Sequence, residues 1–470
     1  MAIATVSSDT REPTAANALQ GEQQPPASDE LDRPITTRWL MRFTGPTVFS
    51  FLLFSVFSVV DGIFAARLIG PIALAAVNIA WPFIGFAMAV TFMLSTGGAA
   101  LVGKKLGEGK PDEARSDFTF LTAVAVLVAF GLAAFAWFFP DALLAVLGAD
   151  AQMAPLVNEY LRPMVLLSPL AMLGFYFQQF FVTEGRPNMG LYVTAVGGVI
   201  NIVFNWLFIG ELGWGLRGAA LATGIGWVVP AAIGLWFFWH SRKGRLLCFS
   251  RMNASWRVLG TSAFNGVSEM ITMVAAAVIV VMMNNIVIRL VGPAGVSAVA
   301  IMFVVTGLVI QMLLGFAYGV APIISFNLGA GRRDRLRKVV RRSLVIMTTG
   351  AVVFTALGWL IASPLARIYV DRGTDVYEMA VHGIRVTLVG LVLISVNAYG
   401  TVLFTALNNG FVSGLLAVMR TVVFSVATLA LLPQWFGMEG VWWAWPASEV
   451  LALVLTVFFL LRKAQRYGYA

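Results

Sequence analysis

The sequence is poor in most of what a water-soluble protein of 470 residues carries on its surface. Charged residues make up 12% of it and apolar residues 59%, where soluble domains hold about 25% charged and under half apolar. Mean hydropathy is +0.84. Folded behind a single water-facing surface, such a chain would precipitate, which excludes a soluble multidomain protein. There is one cysteine, Cys248, so neither a disulfide framework nor a cysteine metal site is available. The two histidines, His240 and His382, lie 142 residues apart. No HExxH, no GxSxG in a suitable context and no nucleotide-binding loop occurs, so no enzyme and no cofactor is expected. Alternation of apolar and polar residues is also missing, which argues against a transmembrane β-barrel.

What is there is a series of long apolar runs from Ile35 to Arg462, broken by short joints containing Gly, Pro and Arg. A bilayer-spanning helix needs about 20 mostly apolar residues. The runs predict an all-α polytopic membrane protein with twelve spans. Six lie near 42–69, 73–103, 117–139, 158–183, 189–210 and 216–240. Six more lie near 258–291, 295–328, 339–362, 378–407, 412–432 and 438–461.

Net charge is +9, which in a soluble chain would suggest nucleic-acid binding. Of the 32 Lys and Arg, however, 24 fall in the terminal segments and the even-numbered loops, and 7 in the odd-numbered loops. The positive-inside bias explains this placement and puts both termini in the cytoplasm. The basic runs Lys104–Arg115 and Arg332–Arg342 belong to that bias, so no nucleic-acid partner is expected. Residues 1–34 are rich in Ala, Gln, Pro, Ser and acidic types and read as a disordered cytoplasmic tail without a cleaved secretory signal.

The chain repeats itself. Residues 67–79 (RLIGPIALAAVNI) match 289–301 (RLVGPAGVSAVAI) at seven of thirteen positions, an offset of 222. At the same offset, LGEGKPDEAR (106–115) matches LGAGRRDRLR (328–337) at five of ten. Gly215, Gly218 and Ala222 fall on Gly437, Gly440 and Ala444. Two homologous six-helix lobes follow: an N-lobe over 35–240, a cytoplasmic linker over 241–257, a C-lobe over 258–462 and a tail over 463–470. An even number of spans per lobe inserts both the same way up, a parallel repeat typical of secondary transporters with a site between the halves. Channels and membrane enzymes can also contain repeats.

The repeat also acts as a control: polar residues present in one half alone are the better functional candidates. Asp61, in FSVFSVVDGIFAARLIG, has Met283 as its equivalent. A mid-span Asp costs roughly +2.5–3.5 kcal/mol and usually faces a cavity, where it can take up and release a proton. The alternative is a helix-end carboxylate paired with Arg67. Asn201 and Asn205 share one face of their helix, and their equivalents are Val423 and Ala427; Thr223 falls on Trp445. Such oxygen-bearing groups suit a cation or a proton-linked network, or simply bridge helices. In the second half, Glu269 and Glu449 have Thr47 and Trp227 as equivalents. Arg420, the one deeply placed cation, reads as a structural counter-charge to a carboxylate. Pro46, fifteen residues before Asp61, favours a bend in its helix, either static or responsive to Asp61. Phe, Trp and Met can line an adaptable cavity, or face lipid.

These stretches resemble the multidrug and toxic compound extrusion (MATE) family, in its bacterial MepA- and DinF-like branch, across residues 40–462. The resemblance is carried by VDGIFAARLIGPIALAAVNIAWPF, EGRP (184–187), NIVFN, GLRGAALATGIG, NGVSE (265–269) and GVAPIISFNLGAGRRDRLRKVVRRS. It implies two six-helix lobes and export of cationic, amphipathic drugs in exchange for H⁺ or Na⁺. It also implies roles for single residues. Asp61 matches the coupling carboxylate of the first helix, Asn201, Asn205 and Thr223 match the N-lobe site, and Pro46 matches the bending proline. Glu269 resembles the C-lobe acid, with Glu449 as a second carboxylate of that lobe. Many relatives carry Asp where this chain has Asn205, which weakens a Na⁺ site there more than it weakens protonation. Where some relatives place an acid in helix 10, this chain has Asn397.

The reading is a cation-coupled multidrug exporter of the bacterial inner membrane, working by alternating access, with the bilayer and drug-like cations as its partners and no obligate protein partner. Its competitors are a flippase for lipid-linked precursors, a membrane-embedded enzyme and a passive channel. A flippase would favour a strongly cationic cavity, and an enzyme would need clustered His, Asp or Ser at mid-membrane.

Overall fold

A computed structural model describes residues 30–240 and 244–469. Among them there is no strand, and eleven helical segments are long and apolar enough to cross a membrane. In the first half these are α1 (Thr37–Ile69), α2 (Pro71–Gly107), α3 (Pro111–Phe138), α4 (Ala154–Thr183), α5 (Pro187–Glu211) and α6 (Gly215–Trp239). The second half supplies α7 (Trp256–Val291), α8 (Pro293–Gly329), α9 (Arg333–Ala366) and α10 (Asp375–Ala406). The last segment, Gly410–Tyr467, has 58 residues. Straight, it would run about 87 Å, far beyond a hydrocarbon core of about 30 Å. It breaks at Gly437, whose φ of 56° and ψ of −131° are open to glycine. The two parts are α11 (410–436) and α12 (438–467), which completes twelve spans.

The helices extend beyond the apolar runs because their first turns are polar yet well capped. Pro111, Pro187 and Pro293 open α3, α5 and α8, where the missing N–H costs nothing. The side chains of Thr36, Ser255, Thr374 and Asn409 cap α1, α7, α10 and α11. Two terminal assignments change as a result. Of the tail expected over 1–34, residues 1–29 lie outside the described residues, but Leu31 is 1% exposed and packed into a hydrophobic core. Of the tail expected over 463–470, α12 takes residues up to Tyr467, and Ala464 and Tyr469 are buried in that same core. Residues 241–243 of the linker also lie outside the described residues.

Each packed helix pair of one half recurs in the other. The pairs α2·α4, α3·α4, α4·α6, α5·α6 and α1·α5 correspond to α8·α10, α9·α10, α10·α12, α11·α12 and α7·α11. Each lobe therefore builds two buried cores, one toward each membrane face. Between lobes, α2 packs on α7 and α8 on α1 in the same equivalent fashion, and α2 meets α8 directly. That last crossing sits at the face carrying both ends of the described chain. A β-carbon at Gly107 would strike the Phe326 carbonyl, and one at Gly329 would strike the Lys104 carbonyl. Gly107 and Gly329 are 222 apart, as are Lys104 and Phe326. The contact is thus a pseudo-two-fold axis made of backbone, possible because both positions lack a side chain.

The inter-lobe linker returns along the N-lobe. Glu184, just beyond α4 and fully buried, accepts from the Leu246 and Leu247 backbone N–H at 3.1 and 2.5 Å. Arg115 donates to the Leu246 and Arg245 carbonyls at 3.0 and 3.1 Å. Burial pushes the Glu184 carboxyl up to about 7, against the pull of its two backbone donors.

Candidate functional site

The polar residues confined to the first half converge. Asn205 Nδ2 donates to Asp61 Oδ1 at 2.6 Å, and Thr223 Oγ1 donates to Asp61 Oδ2 at 3.3 Å. Helices α1, α5 and α6 thus meet on one carboxyl group. Asn201, one turn before Asn205, comes within reach of the same carboxyl, but its buried amide lacks hydrogen-bond geometry to any described group. Tyr160 of α4 joins them, buried beside Thr223 and Asp61. Sequence reasoning missed it, because a tyrosine near a helix end is ordinary at a membrane interface and its repeat equivalent, His382, is polar as well.

Helix geometry changes where these groups are presented. A π-helical stretch, Ala65–Ile69, begins four residues after Asp61, and a second, Trp206–Glu211, begins immediately after Asn205. The third, Val418–Phe424, contains Arg420. Such widened turns free carbonyls and recur at functional sites. Helix α1 continues through Pro46, with Ser50 Oγ donating to the Pro46 carbonyl at 2.9 Å.

Asp61 and Asn201 line a cavity of about 180 Å³ between the lobes. An aromatic chain forms its wall: Phe54 meets Phe175 edge-on at 5.3 Å, Phe175 meets Trp227 at 5.6 Å, and Trp227 meets Trp81 at 6.4 Å. Gln178, Gln179, Thr194 and Gln311 add neutral hydrogen-bonding groups, and among the described residues no Lys or Arg lines it. A flat apolar surface beside a lone carboxylate fits an amphipathic organic cation.

The C-lobe candidates form a separate cluster. The Tyr318 hydroxyl of α8 donates to Glu269 of α7, whose other oxygen has no partner among the described residues. Glu269 borders a cavity of about 10 Å³, also lined by Thr96, Gln179 and Thr405, about the room of one water-sized occupant. Arg420 Nε reaches both Glu449 oxygens at 2.9 and 3.0 Å. Asn397 Nδ2 donates to the same carboxylate at 2.7 Å, so the Asn at that helix 10 position serves Glu449. Tyr318 and Gln179 line both the small cavity and the large one, which makes them the shared wall; neither stood out in the sequence.

The repeat explains why the large cavity belongs mainly to the N-lobe. Gly198 and Trp227 line it. Their equivalents, 222 residues on, are Arg420 and Glu449, which bond to each other. Asp61 and Glu269 are not brought together: Met283, equivalent to Asp61, is fourteen residues beyond Glu269, about 21 Å of helix rise.

Among the described residues no cluster of three or more His, Cys, Asp or Glu is placed to hold a metal ion.

Comparison with known proteins gives a consistent result. The MatE family model matches twice, over residues 46–207 and 269–432. The chain is 22% identical over 428 residues to the multidrug export protein MepA of Staphylococcus aureus (strain bovine RF122 / ET3-1), covering 90% of this chain and 93% of the relative. The MepA of Staphylococcus haemolyticus is 22% identical over 427 residues, 90% of this chain and 92% of the relative. Among solved structures, a multidrug resistance MATE family transporter of the MOP superfamily in an outward-facing conformation superposes with a TM-score of 0.88 at 19% identity, covering 96% of this chain and 100% of that one. A single-residue mutant of the MATE transporter VcmN of Vibrio cholerae gives 0.84 at 17% identity, with 94% and 100% covered. The two MatE matches begin 223 residues apart, one residue from the repeat offset, and together they span more than half of the chain, so this protein belongs to the MATE family of membrane transporters.

Proposed function

We propose that this protein is a secondary active multidrug exporter that exchanges amphipathic organic cations for H⁺ or Na⁺ by alternating access between its two lobes. The observation that carries the reading is Asp61 in the wall of an aromatic cavity between the lobes, held by neutral donors alone. One carboxylate with no fixed counter-charge can be neutralised by a drug cation or by a coupling cation. Competition between the two for that group is the simplest antiport cycle. Asn205 and Thr223 orient the carboxyl, and Asn201 stands within reach of it. Glu269, which has an unpartnered oxygen among the described residues and borders a water-sized cavity, and Glu449, beside Arg420, hold the C-lobe share of the coupling. Pro46 is the point at which α1 can bend during the cycle.

The name of the MepA relatives supports drug export, and the positive-inside bias supports an inner-membrane location with both termini cytoplasmic. A flippase for anionic lipid-linked precursors is disfavoured by a cavity lining without Lys or Arg. Without a nucleotide-binding loop, the driving force is an ion gradient, where each charge crossing 100 mV supplies about 2.3 kcal/mol.

The test is uptake of a fluorescent cationic dye into proteoliposomes under a separately imposed pH or Na⁺ gradient. Dye movement driven by one gradient, and lost in Asp61→Asn, identifies the antiport and its ion. Absence of movement under either gradient would overturn drug antiport and point to a lipid or metabolite cargo.

A further inference from the structure

The face carrying both ends of the described chain is crossed by two straps, each leading into the first helix of one lobe while anchored on the other. The linker strap precedes α7 of the C-lobe and lies on the N-lobe. Besides Glu184 and Arg115, it is held by Thr119, which accepts from Ser250 N–H at 3.1 Å, and by Ser116, which accepts from Asn253 N–H at 3.0 Å. The second strap is the arm 30–35, which precedes α1 of the N-lobe. It lies on the C-lobe, at the start of α9. Arg332 and Arg335 both donate to the Asp32 carboxylate, Arg335 also donates to the Asp32 carbonyl at 2.8 Å, and Arg342 donates to the Ile35 carbonyl. Leu31 and Ile35 are buried in the C-lobe core with Leu336, Val339 and Tyr469. The helices gripped, α3 and α9, are themselves repeat equivalents, since Pro111 and Arg333 lie 222 apart.

The anchors differ in kind. The linker is fixed by a fully buried carboxylate and by side chains of α3 that hydrogen-bond its backbone. The arm is held by ion pairs whose side chains keep 33–42% of their exposure, a class of contact that is individually weak. The equivalents of Arg332, Arg335 and Arg342 are Lys110, Glu113 and Phe120, so these three arginines have no arginine counterparts on the N-lobe. One residue, Thr36, separates Ile35 from the start of α1, which leaves the arm no slack. Separating the lobes where Gly107 meets Gly329 therefore pulls the arm against its anchor.

We propose that residues 30–35 form a latch, docked through Asp32 and Leu31 onto the C-lobe at Arg332, Arg335 and Leu336, which holds this face closed and releases when the lobes part there. The proposal rests on the alternating-access reading above. In that cycle the latch weights the closed state and so helps to set how often the transporter opens toward the side on which drug is loaded.

The experiment places nitroxide labels at Lys110 and Gln465, one on each lobe at this face, in a Cys248→Ser background of the full chain in nanodiscs. The distance distribution is measured by electron–electron double resonance, with and without a cationic dye. Asp32→Asn is expected to raise the longer-distance population about two- to five-fold. The pair Arg332→Gln with Arg335→Gln should act alike, and Asp32→Glu should retain the wild-type distribution. Leu31→Ala should raise the population further, by about ten-fold or more. Because the arm lies outside the spans, unchanged elution on size exclusion separates release from misfolding. If dye still shifts the distances while Asp32→Asn and Leu31→Ala match the wild type, the latch is wrong and rocking survives. A single fixed distance in every variant and condition overturns rocking and the latch with it.

Discussion

Asn205 Nδ2 stands 2.6 Å from Asp61 Oδ1, joining α5 to α1 across 144 residues of sequence at the wall of the inter-lobe cavity. Where an acid at that position would place a second carboxylate beside the first, this chain presents a neutral amide that donates. In the proposed cycle the group left to exchange a cation is Asp61, and the shape of its hydrogen-bond shell follows from its neighbours being donors.

Asp61→Asn is therefore expected to abolish gradient-driven dye transport while the protein still folds, since an amide replaces a buried carboxyl of the same shape. Asn205→Ala should slow transport partially and lower stability by about 1–3 kcal/mol, the usual cost of leaving a buried polar atom without its partner. Dye uptake and thermal unfolding of the purified variants measure the two effects.

Arg420 and Glu449 are 14% and 2% exposed along their side chains, so neither tolerates losing the other. Arg420→Gln leaves a buried carboxylate with Asn397 and Trp445 as its remaining donors, and stability should fall by about 3–5 kcal/mol. Adding Glu449→Gln should restore most of that loss, because the uncompensated charge is gone. A double-mutant cycle on unfolding temperature decides it; equal instability of the single and double variants would refute the counter-charge role.

Gly107→Val and Gly329→Val each drive a side chain into the opposing carbonyl at the α2·α8 crossing. Overpacking typically costs about 1–3 kcal/mol. Because the contact is reciprocal about the pseudo-two-fold, the two substitutions should produce similar shifts toward the state open at this face. The same label pair at Lys110 and Gln465 reads that shift.

Glu184 gives a pH dependence whose sign can be worked out. Its carboxyl rises from 4.5 to about 7 in the folded protein, chiefly through burial, so the folded state binds more protons than the unfolded one between those values. Its contribution to stability is present below about 4.5 and is lost as pH rises through about 7. The apparent Tm should fall across that window, and Glu184→Gln should flatten the slope; an identical slope in both would show that the linker clamp does not titrate there.

Much of the site was legible because the repeat supplied its own comparison. Asp61, Asn201, Asn205 and Thr223 were marked by their apolar equivalents, and all four meet around one carboxyl group. Tyr160 and Tyr318 were not marked: a tyrosine near a helix end or within an apolar run is ordinary in a membrane helix, and each acquires a role only through the carboxyl group beside it. The start of α9 read as positive-inside charge, yet three of its arginines hold the chain around Asp32 and Ile35. Charge counts are local in sequence, whereas this contact spans 300 residues.

By itself, the sequence determined the membrane-spanning class, the number of spans and the two-fold repeat, because burial in lipid demands long apolar helices and duplication leaves matched residues at a fixed offset. It also marked, in each half, polar groups that the other half lacks. The tertiary structure alone decided that the cavity lies against the N-lobe, that Arg420 forms its direct ion pair with Glu449, and that the arm crosses to the opposite lobe. Those outcomes depend on which helices cross and at what depth, and crossing is fixed by close packing between residues hundreds of positions apart, for which no local pattern in the chain carries a signal.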